Sequence, residues 1–341
     1  MQENKIVETK KIKDEPTELK YIKTISNDIF KNYFSNNRAC IFMSCEYEKA
    51  FIAFGESSLN LEGYDIKEDK KFTIINKLHK DIFDSCRHYY DENNERDLII
   101  TASNDSHVKV IEFYKEESEI IIDLNFERQD KLIIYTAFIL NDKILIPATN
   151  INTIGFYNFK GEYISEIRDV GFILDLNIYT DTENNHNYIL IANSEIITTY
   201  NIENSSFRKF IPIMTPEEKQ NYEFNEPCVI KREKTTLIMG ASFAHPYFFI
   251  WDFFNGDLIQ KIITSSGISD ICLLNDFYVF ASMVDSKDKN LVLIDIDKGE
   301  IVKQYQEDIN NSYSGIKVLN CVDEKYLVTS NMNGELDLYT Y

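Results

Sequence analysis

The groups in this chain best equipped for chemistry are its five histidines and six cysteines, and their spacing argues against a site built from them. His79, His88, His107, His186 and His245 form no His-x-x-x-His pair, and each falls in or near a predicted turn. A metal centre needs three or four converging ligands, so these histidines are expected to be structural or surface residues. The cysteines, Cys40, Cys45, Cys86, Cys228, Cys272 and Cys321, include no Cys-x-x-Cys pair. Cys228 and Cys272 lie in apolar runs, as reduced core thiols of an intracellular protein do. Cys86 and His88 are close in sequence, whereas a nucleophile and its base normally come from separate elements. The 11 glycines are isolated, with neither a glycine-rich phosphate loop nor a Gly-x-Ser-x-Gly elbow. The expectation is a chain with no catalytic, cofactor-binding or metal-binding residues.

The elements that would have to position any such group are strands. Tyr, Phe, Ile and Val are plentiful, as in β proteins. Glycine falls well short of the roughly 24 that average usage would give at this length, so Asn must supply many turns. The stretch Tyr247–Asp257 reads as a strand ending in Trp251-Asp252, a turn at Asn255-Gly256, and a new strand over Leu258–Ile262. Degraded copies recur at Tyr64-Asp65, Ile111-Glu112, Tyr157-Asn158, Tyr200-Asn201, Ile294-Asp295 and Tyr339-Thr340. Successive spacings are 47, 46, 43, 51, 43 and 45 residues, close to one four-stranded propeller blade. A strand precedes each copy, at Lys49–Phe54, Asp97–Thr101, Lys143–Pro147, Asn187–Ala192, Thr236–Gly240, Tyr278–Ser282 and Lys325–Thr329. The turn between them, seven residues before the Asp-like position, holds Ser58, Asp105, Ser194, His245, Asp288 and Asn333, with Asn150 or Asn152 in the third copy.

On these residues the chain resembles the WD40-repeat β-propellers. The resemblance covers residues 19–341 and is carried by rhythm more than by letters, since one copy in seven keeps the literal Trp-Asp. It implies an all-β fold, a seven-bladed propeller in a single domain. It also implies a hydrogen-bonded set of loop His, Ser or Thr, turn Asp and Trp in each blade; His79, Asp105 and the Ser103 region match part of it, with Ile111 in place of the Trp. Counting four strands per blade leaves the last blade one strand short. Lys20–Ile25 resembles Glu162–Ile167, a fourth strand, so the N-terminal segment is expected to close the ring. An unpaired edge would otherwise be exposed.

Charge and loops bound the function. A formal net charge of −20 disfavours a broad grip on nucleic acid or an anionic membrane. No apolar run is long enough to span a bilayer, and the charged residues 1–18 read as a mobile tail of an intracellular, cytoplasmic protein. Within it, Ile12-Lys13-Asp14-Glu15 fits the short pattern for a lysine modified by a small ubiquitin-like protein. Asp84–Glu95 and Met214–Pro227 read as loop insertions, the second with a short helix starting at Thr215-Pro216. Phe207-Arg208-Lys209-Phe210 lacks the second Arg and the Gly of phosphoinositide-binding propellers. Phe253-Phe254 stand where ubiquitin-ligase receptors carry an Arg after Trp-Asp. The resemblance implies a non-catalytic scaffold that binds protein partners in a multi-subunit complex, with Asn104, Lys287 and Met332 facing the binding rim. The competing expectation is a propeller lyase or hydrolase with its active site in the central channel. It would need inward-facing carboxylates, histidines or arginines on first strands such as Ile268–Leu274 and Ile316–Cys321, which read mostly apolar.

Overall fold

The computed structural model describes residues 18–29, 38–126, 134–141, 143–148, 151–215, 223–225, 227–284, 291–305, 313–320, 325–331 and 333–341. Its strands form seven four-stranded antiparallel sheets. Strand β1 (Lys20–Ser26) stands apart from its neighbours in sequence. The first blade is β2 (Ala39–Ser44), β3 (Lys49–Gly55), β4 (Leu61–Asp65) and β5 (Lys70–Ile75). The second is β6 (Phe83–Asp91), β7 (Arg96–Ser103), β8 (His107–Glu112) and β9 (Glu119–Asn125). The third is β10 (Phe138–Leu140), β11 (Lys143–Ala148), β12 (Thr153–Asn158) and β13 (Tyr163–Ile167). The fourth is β14 (Asp175–Asp181), β15 (His186–Ala192), β16 (Ile197–Asn201) and β17 (Ser206–Phe210). The fifth is β18 (Cys228–Lys231), β19 (Thr236–Ala241), β20 (Tyr247–Asp252) and β21 (Leu258–Ile263). The sixth is β22 (Ile268–Leu273), β23 (Tyr278–Met283), β24 (Leu291–Asp295) and β25 (Glu300–Tyr305). The seventh takes β26 (Tyr313–Asn320), β27 (Lys325–Asn331) and β28 (Leu336–Thr340) from the C-terminal end. Its fourth strand is β1, paired with β28.

The core is not one mass. The buried apolar residues fall into seven clusters, each shared by two neighbouring blades, and the last joins Val328, Leu336 and Leu338 of blade seven to Ile52, Phe54 and Tyr64 of blade one. Side chains on a strand alternate between its two faces, and in a propeller both faces of a middle strand are covered. On β20, Phe249 and Trp251 pack toward blade four while Phe248 and Ile250 pack toward blade six. That two-sided burial is why Tyr247–Trp251 is apolar throughout rather than alternating.

The repeating Asp or Asn closes the turn between third and fourth strands. The Asp252 carboxylate accepts the amides of Phe254 and Asn255, both at 2.9 Å. Asp295 accepts those of Asp297 and Lys298 at 3.0 and 3.1 Å, and Asn201 that of Asn204 at 3.0 Å. In four of the blades a bulge lies beside this position. The pairing between third and fourth strands slips at Ile111, Tyr157, Trp251 and Ile294, leaving Ile121, Ile164, Ile259 and Val302 as the extra residues. The same slip occurs at Tyr339, with Ile22 of β1 as the extra residue. Strand β1 therefore repeats the local geometry of the outer strands, although it comes from the other end of the sequence. Thr24 of β1 donates to the buried Asp337 at 2.6 Å.

Two expectations need correction. Asp84–Glu95 is not a loop insertion: β6 runs through Phe83–Asp91, and the turn is confined to residues 92–95. The polarity of β6 has two sources: Arg87, His88 and Tyr89 line the channel cavity, while Asp84, Ser85 and Asp91 are buried within the strand, Asp91 accepting the Asn94 amide at 3.3 Å and the Arg96 Nε at 2.9 Å. His88 correspondingly sits inside a strand rather than in a turn. The helix expected from Thr215 falls largely on residues 216–222, outside the described residues. So do Ile12–Glu15, Asn150, Cys321 and nearly all of the expected tail.

Candidate functional site

Two features of this architecture could carry function: the channel framed by the seven first strands, and the rim formed by second-to-third turns and blade connectors. The channel encloses a cavity of about 450 Å³. Its charged side chains are engaged by neighbouring elements. Arg87 donates from Nε to the Thr136 hydroxyl at 3.0 Å, lies 3.9 Å over the Phe138 ring, and sits 4.0 Å from the Asp175 carboxylate. Lys317 on β26 lies 3.7 Å from Asp270 on β22. Asp270 is fully buried and accepts the amides of Ile271 and Ile316, each at 2.9 Å. The first strands read as apolar in sequence thus contribute an ion pair that ties blade six to blade seven.

Cys86 and His88 occupy the same face of β6, two residues and roughly 7 Å apart along the strand, and each bonds elsewhere. The His88 Nε2 meets Asp97 at 2.8 Å while its ring stacks on Phe42 at 4.2 Å. Asp97 also accepts the Ser44 hydroxyl at 2.7 Å and the Cys45 amide at 3.1 Å. This is a positioning set for the wall between the first two blades, not a nucleophile beside its base. The Cys86 sulfur lies 3.7 Å from that of Cys40 on β2, a juxtaposition that short cysteine spacings do not reveal. Their separation of 46 residues, one blade length, was the available signal.

At the connector rim, His79 is buried between blades. Its Nδ1 lies 3.1 Å from Asp105 and its Nε2 2.9 Å from the Thr101 hydroxyl. A carboxylate only accepts, so Nδ1 carries the proton and Nε2 accepts from Thr101. The set expected around Ser103 therefore closes through Thr101, one position inward on the same face of β7. Ser103 instead donates to the Asp81 carbonyl at 3.1 Å and accepts the Asp105 amide at 3.2 Å. Burial lowers the pKa of His79 despite the opposing pull of Asp105. Burial alone would raise Asp105, but the bonds from His79 and from the amides of Lys80 and His107 outweigh it and hold the carboxyl well below its usual range.

The other sequence-predicted positions sort by face. Tyr64, Trp251 and Tyr339 are buried between blades, Asp65 and Asp295 are fully buried at their turns, and Tyr157 and Tyr200 are half-buried. Ser58, Ser194, His245 and Asn333 fall in second-to-third turns, as does Asn104, which is exposed. In the seventh blade Asn331 fastens the turn, its side chain accepting the amides of Asn333 and Glu335 at 3.0 Å. Lys287, Asp288 and Met332 lie outside the described residues. On the same rim, Ile151 and Phe172 are about half exposed, at 49% and 50%. The connector carrying Phe172 is pinned to the Ile151 turn by the Val170 amide, which donates to the Asn152 carbonyl at 3.3 Å.

Comparison with solved structures agrees with this geometry. A chain in the crystal structure of the mitotic checkpoint complex superposes with a TM-score of 0.72 over 100% of this chain and 98% of that chain, at 9% sequence identity. The fold is a seven-bladed β-propeller. No protein-family model and no curated protein matches the sequence. At that identity the likeness shows the fold alone. Among the described residues no group of three or more His, Cys, Asp or Glu is placed to hold a metal ion, and no helix is long and apolar enough to cross a membrane.

Proposed function

We propose that this chain is a non-catalytic interaction scaffold of the WD40 kind, a subunit that binds protein partners within a larger assembly. The observation that carries this reading is the contrast between channel and rim. The channel's cations are held by Asp175, Thr136 and Asp270, whereas the rim presents Ile151 and Phe172 to solvent on turns fixed by backbone hydrogen bonds. A surface that is already ordered loses little entropy when a partner docks. The propeller it resembles belongs to a multi-protein complex, which supports the same reading. The strongly negative net charge favours partners with basic surfaces over nucleic acid.

The test is retention of partners from native extract on the immobilised protein, with wild type compared against Ile151→Asp and Phe172→Asp. The scaffold reading expects a discrete set of proteins held at constant stoichiometry, and reduced retention by the rim variants at unchanged melting temperature. A monodisperse monomer that retains nothing and turns over a small metabolite would overturn it in favour of a channel enzyme.

A further inference from the structure

We propose that Cys40 and Cys86 form a modification site, a dithiol that a small peroxide entering the channel converts into a disulfide joining the first and second blades. Three observations place it. The two sulfurs lie 3.7 Å apart on neighbouring first strands, so bond formation at about 2.05 Å asks for an approach of about 1.7 Å. Both residues line the channel cavity, which gives a small oxidant access. Both are otherwise held in regular register, Cys40 opposite Ala53 on β3 and Cys86 opposite Thr101 on β7, so the sulfurs are presented to each other by the sheets rather than by mobile loops.

The chemistry balances with hydrogen peroxide as the oxidant. Cys40 is the more exposed, at 8% against 1%. Contact with Cys40 and burial both push the Cys86 thiol upward, so Cys40 reacts first. Its sulfur attacks one peroxide oxygen; the S–O bond forms, the O–O bond breaks, and water leaves. The Cys86 sulfur then attacks the sulfenic sulfur, the S–S bond forms, and the hydroxyl departs as a second water. Two thiols lose two electrons and two protons, and the peroxide is reduced to two waters. A thiol reductant reverses the bond by exchange.

The test is peroxide treatment of the folded full-length chain, followed by alkylation in denaturant and peptide mapping without reduction. The expected result is a Cys40–Cys86 linked peptide that disappears on reduction, is absent from Cys40→Ala and Cys86→Ala, and persists in Cys45→Ser. The oxidised protein should melt a few degrees higher than the reduced one, since the crosslink restricts the unfolded chain. Both thiols remaining alkylatable under conditions that oxidise exposed Cys45, or links joining other cysteines, would overturn the assignment. A lower melting temperature on closure would overturn the claim that the blades already hold the sulfurs in place.

Discussion

A buried imidazole between a carboxylate and a hydroxyl has one good protonation state, and His79 shows what that implies for stability. Its folded pKa lies below the ordinary value of 6.5 because burial disfavours the cation. The unfolded chain therefore takes up a proton that the folded chain refuses. The stability contributed by this histidine is fully present above about pH 6.5 and declines as the pH falls below it. Replacing His79 by Ala should cost about 1–3 kcal/mol at pH 7.5, because Asp105 and Thr101 lose a buried partner, and should flatten the decline between pH 7 and 5. Urea denaturation across that range checks both. Asp84 behaves with the opposite sign. Burial raises its carboxyl to about 7 against the opposing pull of Arg38, so the folded state holds a proton that the unfolded state releases. Its contribution is present below about pH 4 and is lost as the pH rises toward 7. Asp84→Asn should therefore gain stability relative to wild type at pH 8 compared with pH 4. An unchanged difference between the two pH values would refute it.

At the scale of the strand and turn, the repeating residues act through the backbone. The Asp295 carboxylate is fully buried and fastens two turn amides, so Asp295→Ala should destabilise by about 1–3 kcal/mol, whereas Asp295→Asn should recover much of the loss. Comparison of the two melting temperatures separates hydrogen bonding from charge. Gly267, in the connector between the fifth and sixth blades, is required for a different reason. A Cβ there would stand 1.8 Å from the Phe243 carbonyl oxygen, a backbone atom that cannot rotate away. Gly267→Ala should cost at least the roughly 1–3 kcal/mol typical of overpacking, read as a lower denaturation midpoint. Asn and Asp at third-strand ends were legible because a side chain that bonds nearby amides favours turns for a local reason. The bulges beside them were not legible, since they depend on the register of a partner strand. Strand β6 is hidden from the sequence for a related cause: polarity marks a loop only when it faces solvent, whereas Asp84, Ser85 and Asp91 are buried within the strand.

For the whole molecule, closure by β1 is the decisive feature. Deleting Met1–Ser26 removes the partner of β28, exposes its edge, and takes Thr24 from the buried Asp337. Deleting Met1–Asp14 leaves β1 intact. The first truncation should lower the melting temperature by many degrees or produce aggregation, and the second should change it little. Equal tolerance of both would show that the ring does not depend on this strand. The number of blades and the strand that closes them were readable in advance, because each blade must bury two faces of its middle strands and so repeats the same apolar run at the same interval. The amino-acid sequence by itself determined the seven-fold beat, the Asp and Asn turns and the strand exchanged from the N-terminal end, all of which follow from local propensity and period. Only the tertiary structure decided that Cys40 meets Cys86, that Lys317 pairs with Asp270, and that Thr101 rather than Ser103 completes the histidine set. Those contacts join separate strands or connectors, and their partners are fixed by the angle and register at which the sheets pack, quantities no short-range pattern carries.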